Sequence, residues 1–287
     1  MRIFYVRIRT KVKTLTGENF MGPIVQSAKF SGATDIKSVH YHDSHQIIYI
    51  LNGEVDIHIN GRDERAREGD VVIFSRYENH SLTVLSEKYE RYVLRIGARV
   101  SSVTSDAYTL LFNRPIGFSN VFSVGNIKNE ILPLFEKITN ELASPDAFSE
   151  RVAELLAEEI IISLRRACPE RFGEADRDEA DIVYSLERKF DNDPKTQYTL
   201  EQLAKDYHIS PSSLSHQFKR ITGFSVFEYL YMSRIALAKY YLARTAMSIG
   251  EIVEECGFCD NSNFSRSFKY RVGMTPSEFR KNYRSVQ

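Results

Sequence analysis

The chain has 287 residues, a length that favours two domains of ordinary size over one. It carries 38 Lys plus Arg against 38 Asp plus Glu, so its formal net charge is zero. Its 43% hydrophobic and 26% charged residues fit a folded protein with a buried core. Neutrality excludes a uniformly basic nucleic-acid binder and an acidic solvating tail, but not an uneven spread of charge.

The spread is uneven. Residues 1–180 hold 23 basic and 26 acidic groups, whereas residues 181–287 hold 15 basic and 12 acidic. Three cysteines, Cys168, Cys256 and Cys259, are too few for a disulfide framework and odd in number, which points to a reducing compartment. The N-terminus alternates apolar and basic residues and lacks a signal-peptide core. Apolar runs such as 47–51 and 160–162 are too short to span a bilayer. A cytoplasmic protein with no membrane partner is expected.

In chain order, the first elements are strands. Val55, Ile57 and Ile59 alternate with Asp56, His58 and Asn60, the period-two pattern of a half-buried strand. Asn52-Gly53, Asn60-Gly61 and Gly69-Asp70 punctuate short apolar segments such as 46–51 and 71–74. Closely spaced strands of this kind suggest an antiparallel sandwich or barrel. After residue 126 the period changes. Ile131, Leu134, Phe135, Ile138 and Leu142 recur at helical spacing, as do Val152, Leu155, Leu156, Ile160 and Leu164, with Ser144-Pro145 between. Two amphipathic helices in a hairpin are expected, packing on the first domain and offering a stripe to a second copy of the chain. Residues 168–180 are charged and poor in apolar side chains, as a linker would be.

The last 107 residues carry four helix-start signatures: Thr199/Gln202, Ser225/Glu228, Ser248/Glu251 and Thr275/Glu278. They also contain a repeat. Leu200, Leu203 and Ala204 correspond to Ile249, Ile252 and Val253. Ser215, Phe218, Lys219 and Gly223 correspond to Ser265, Phe268, Lys269 and Gly273. Each copy reads as a short helix, a tight turn and a second helix. In the first copy Leu214, Phe218 and Ile221 line one side of the second helix, leaving Ser212, Ser213, Ser215, His216, Lys219 and Arg220 elsewhere. In the second copy Phe264, Phe268 and Val272 face inward, leaving Asn261, Ser262, Ser265, Arg266 and Lys269. These outward side chains suit a DNA groove: Arg forks onto guanine, Asn pairs with adenine, and Lys meets phosphate. A helix from about 225 to 243, roughly 28 Å long, separates the copies, close to one turn of DNA. Cys256-x-x-Cys259 has no second pair to complete a zinc site, and Cys256 is read as core.

The segments SPSSLSHQFKRITG, RIALAKYYL and IVEECGFCDNSNFSRSFKYRVGMTPSEFR, within residues 182–284, resemble the AraC/XylS family of transcription regulators. The resemblance implies a helical DNA-binding domain with two helix-turn-helix units. It places Ser212, Ser215 and His216, and Asn261, Ser262, Ser265 and Arg266, at base-facing positions. In the N-terminal part, His40-x-His42, Gln46, Gly69-Asp70 and His80 resemble the cupin pattern. Gln46 stands where the metal-binding pattern has Glu, so no metal and no cofactor is assigned. His40, His42, Gln46, His80 and Tyr92 are instead the candidate lining of a small-molecule effector pocket.

The expected architecture is α+β and multidomain. A cupin-like antiparallel β-barrel occupies residues 1–126, and a helical hairpin, a candidate dimerisation element, occupies 127–167. A linker covers 168–180, and an all-α domain with two helix-turn-helix units covers 181–287. The expected function is a non-enzymatic, sequence-specific regulator, of the activator type and homodimeric. Its partners would be promoter DNA, RNA polymerase and a sugar or other metabolite. The alternative is a cupin-type metal-dependent enzyme with an accessory helical domain.

Overall fold

The computed structural model describes residues 25–32, 36–59, 61–97, 107, 110–111, 120–172 and 177–284. The chain divides into two compact units, Met1–Tyr184 and Ser185–Gln287.

The first unit is built on two antiparallel sheets. One holds β1 (Val25–Gly32), β8 (Glu90–Gly97), β3 (Ser44–Asn52), β6 (Asp70–Phe74) and β9 (Val121–Ser123), in that spatial order. The other holds β2 (Ile36–His40), β7 (His80–Val84), β4 (Glu54–Ile59) and β5 (Arg62–Arg67). Residues 44–50 of β3 are all buried, because both faces of the larger sheet are covered. Side chains alternate across a strand. Ile47 and Tyr49 therefore join Leu94, Ile96 and the helices in one core, while Ile48 and Ile50 join Val55, Ile57 and Leu82 between the sheets.

The closed cupin-like barrel expected from the sequence is not formed. A barrel needs an unbroken ladder of strand pairs, which abolishes edges. Among the described residues the larger sheet ends at β1 and β9 and the smaller at β2 and β5, so both stay open. The alternating pattern of β4 is identical for an open sandwich and a closed barrel, so periodicity could not separate them.

The hairpin packs on the larger sheet. In α1 (Lys128–Ala143) the buried side chains are Ile131, Leu134, Phe135, Ile138 and Leu142, as the spacing predicts. Phe135 meets Tyr49 with ring centroids 5.5 Å apart. In α2 (Ser149–Ala167) the buried face is Ala153, Ala157, Ile160, Ile161 and Leu164, rotated from the expected stripe. The small alanines allow close approach to α1, and Leu155 is left 48% exposed. Of residues 168–180, Cys168 and Phe172 are buried in the same core, and α3 (Arg177–Asn192) has begun before the segment ends.

The second unit holds α4 (Leu200–Asp206), α5 (Pro211–Thr222), α6 (Val226–Arg244), α7 (Ile249–Glu255), α8 (Asn261–Val272) and α9 (Pro276–Arg284). All four capping boxes form. For example, Glu228 N–H donates to Ser225 Oγ at 3.3 Å while Ser225 N–H donates to Glu228 Oε2 at 2.9 Å. Each such cap contributes about 1 kcal/mol. No helix among the described residues is long and apolar enough to cross a membrane.

Candidate nucleic-acid interface and effector site

The first helix of each helix-turn-helix unit ends in the same pair of hydrogen bonds, although the second turn is one residue longer. In the first, Ile209 N–H donates to Ala204 O and His208 N–H to Lys205 O. In the second, Phe258 N–H donates to Val253 O and Gly257 N–H to Glu254 O. These are the two bonds of a Schellman motif, which requires a left-handed residue after the helix. His208 (φ 55°) and Gly257 (φ 74°) supply it.

Each turn aims a second helix whose apolar face is fixed. Leu214, Phe218 and Ile221 are buried under α5, and Phe264 and Phe268 under α8. N-caps set where those helices begin: Ser210 accepts from Ser213 N–H and Asp260 from Asn263 N–H. The opposite face is then presented to solvent. Ser212, Ser215, His216 and Lys219 fall at i, i+3, i+4 and i+7, one face of a helix. Ser262, Ser265, Arg266 and Lys269 repeat that spacing. Ser212, His216, Lys219, Arg220, Asn261, Ser262, Arg266 and Lys269 are exposed, whereas Ser213, Ser215 and Ser265 are half-buried. Ser213 differs from the rest in that its Oγ accepts from Gln217 Nε2 at 3.1 Å, which ties it to its own helix. A groove of about 610 Å³ runs along α5, lined by Ser212, Ser215, His216, Lys219 and Arg220 among others.

Lys219 and Lys269 are placed alike too. Hydrogen bonds from Ser225 hold the Glu228 carboxyl below its usual range, and Lys219 adds to that effect. Glu278 is held down by Thr275 in the same way, with Lys269 adding. Cys256 is fully buried and Cys259 exposed, both as free thiols, which agrees with a packing role for Cys256.

In the first unit, the imidazoles of His40, His42 and His80 converge between the sheets. Their ring centroids lie 4.4 to 5.2 Å apart, and their ligand-type nitrogens lie within 4.8 Å of one another. His80 stacks on Phe74 at 3.8 Å. Gln46, 7% exposed, is the register partner of both Phe74 and Arg95 and so shares that face. Tyr92 does not: it lies on the helix-facing side of β8, 6.4 Å from Phe135.

Two family models match this chain. One, described as the AraC-like ligand binding domain, matches residues 27–164, and the other, a helix-turn-helix domain, matches residues 203–282. The chain belongs to the AraC/XylS family.

Similar members include the HTH-type transcriptional activator RhaR of Pectobacterium atrosepticum, 27% identical over 87% of this chain and 88% of the relative. RhaR of Enterobacter sp. strain 638 is 24% identical over 86% and 88%. Among solved structures, ToxT of Vibrio cholerae O395 covers 88% of this chain and 96% of its own, with a TM-score of 0.56 at 14% identity, a likeness of fold. As an AraC/XylS-family member the chain is a sequence-specific DNA-binding transcription regulator, a regulatory rather than catalytic protein.

The electrostatics of the inter-sheet site in this AraC-family chain are set by groups that sequence reasoning missed. Lys29, Arg91 and Arg95 all lie on its face. Cross-strand partners share a face, and Lys29 pairs with Val93, which alternation places on the same side as Arg91 and Arg95. Burial, then Arg95, His80 and His40, push His42 down to about 3, with Asp43 opposing. Burial pushes His80 down to about 4, against a bond from His80 Nδ1–H to Glu78 O at 2.9 Å. Partial desolvation at the solvent-exposed rim, then Arg95 and Arg91, lower Lys29. Both histidines are therefore neutral at pH 7. The His80 Nδ1–H bond leaves its Nε2 as a lone pair, buried and without a hydrogen-bond partner among the described residues. The three histidines are donors of the type that hold a transition metal, but the guanidinium of Arg95 stands 3.5 Å from His42 Nδ1. The sequence signal for the missed residues was Arg91-x-Val93-x-Arg95, two cations on one strand face around an apolar residue.

Proposed function

We propose that this regulator reads promoter DNA with Ser212, Ser213, Ser215, His216, Lys219 and Arg220 of α5 and Asn261, Ser262, Ser265, Arg266 and Lys269 of α8. In this reading a small-molecule effector bound between the sheets at His40, His42, Gln46 and His80 shifts its affinity for DNA. The observation that carries the DNA reading is the equivalence of the two solvent-facing helix faces, repeated at the turn, cap and lysine. Arg266 is the strongest reader, since its fork matches guanine bidentately, and the His216 unit reads more weakly. The lysines position the protein on phosphate without specifying sequence.

The effector must bind one arrangement of the chain better than another, because equal affinity shifts nothing. The domain roles follow: residues 1–126 sense, residues 127–167 pair two copies, and residues 181–287 bind DNA. The exposed Phe148 and Leu155 support pairing through α2. The activator name of the RhaR relatives supports activation here, which brings contact with RNA polymerase. Genome-wide mapping of occupied sites tests this reading. The reading expects discrete promoter-proximal sites, and binding to them in vitro should fall steeply with salt. Uniform occupancy, or binding insensitive to salt, would overturn it.

A further inference from the structure

We propose that the inter-sheet site holds its effector by an anionic group, a carboxylate or a phosphate, gripped by Arg95, Arg91 and Lys29. This rests on the reading of that site as the effector site and names the ligand's chemistry.

Strand β8 sets Arg91 and Arg95 on either side of Val93 on the inter-sheet face, and β1 sets Lys29 opposite Val93, between them. Arg91 is 9% exposed. Its Nε lies 3.4 Å from Ser31 Oγ and its guanidinium 5.5 Å from the Tyr89 ring centroid, both neutral partners. Arg95 donates to His42, also neutral, at 3.5 Å. Among the described residues no carboxylate pairs with Arg91 or Arg95. A guanidinium taken out of water without a counter-charge is costly, and two beside a lysine repel one another. A bound anion removes both costs, and the guanidinium fork matches carboxylate or phosphate in two parallel bonds.

The site is open on the side an anion needs. Lys29 is exposed and His40, His42 and Arg95 are half-buried, so they form an entrance. Arg91 and His80 lie deeper. A divalent cation on the three imidazoles meets the opposite situation, since the same three cations repel it.

The test is thermal unfolding of the full-length protein with glucuronate, glucose 6-phosphate and neutral glucose, each against sodium chloride at equal ionic strength. Zinc is run in parallel. The proposal expects at least one acidic sugar to raise Tm by about 3 °C at tenfold above its Kd. Which of the two does so identifies carboxylate or phosphate. That rise is absent in R95Q and reduced in K29Q. Lys29 lies on an exposed edge strand, so K29Q remains informative if R95Q is unstable. A rise that survives both variants, no rise beyond the chloride control, or a rise with zinc that is lost in H42A would each overturn the proposal. Affinity for DNA is read separately. An Arg95-dependent rise with no change in DNA affinity would confirm the anion site and refute its role as the effector switch.

Discussion

At the scale of single residues, the turns of the two helix-turn-helix units make the sharpest claim. A Cβ on Gly257 would sit 2.7 Å from Lys195 O and 2.8 Å from Pro194 O, both backbone atoms, at a φ that side chains rarely adopt. Gly257→Ala should therefore cost about 2 kcal/mol or more, combining left-handed strain with a clash that cannot rotate away. His208 occupies the equivalent place with a side chain, so His208→Gly should stabilise by about 0.5–1 kcal/mol. Urea unfolding of both variants checks the pair, and shifts of equal sign would refute the equivalence. Much at this scale was legible. The four capping boxes are local, with donor and acceptor three residues apart, so sequence alone determines them. The cap at Asp260 lacks the Glu or Gln that completes a box and gave no such signal. Arg91 and Arg95 share a face by alternation alone, but Lys29 was not legible with them, because only the pairing of β1 with β8 brings it to that face.

At the scale of elements, the repeat of helix, turn and helix was readable because its period survives in Leu203/Ile252, Phe218/Phe268 and Gly223/Gly273. The sheets were readable as strands but not as sheets. Which strand ends unpaired is a property of long-range register, and neither β1 nor β9 announces itself as an edge. Tyr92 lies apart from the histidines for the same reason, since one step along β8 moves a side chain from the inter-sheet face to the helix face. The exposed side of α2 carries the dimer proposal. Burying Phe148 and Leu155 against a second copy is worth about 1.5–3 kcal/mol for each side chain. Leu155→Lys should shift sedimentation from dimer to monomer at micromolar concentration with little change in monomer Tm. An unchanged sedimentation profile would place the dimer contact elsewhere.

At the scale of the whole molecule, neutrality hides a slightly acidic N-terminal part, residues 1–180, and a slightly basic C-terminal part, residues 181–287. The histidine cluster makes stability depend on pH. The native chain protonates His42 only near 3 and His80 near 4. Facing them are Lys29, Arg91, Arg95 and His40, with Asp43 alone opposing at His42. The unfolded chain protonates both near 6.5. Because the folded values are depressed, the neutral form's contribution is complete above pH 6.5 and is lost as pH falls toward 4. The urea midpoint should therefore drop between pH 7 and pH 5, and the drop should shrink in the double variant His42→Gln, His80→Gln. A drop of equal size in that variant would assign the dependence to other groups.

The central claim is that two equivalent helix faces read DNA. Selection of bound sequences from a randomised duplex pool by the full-length protein, beside its Arg266→Ala variant, tests it most directly. The account predicts enriched sites with two conserved segments about 10 base pairs apart, one helical turn. The variant should lose preference in one segment only, by about 1–3 kcal/mol at a single base pair. Enrichment of one unbroken segment, or a variant whose preferences match those of the parent, would contradict it.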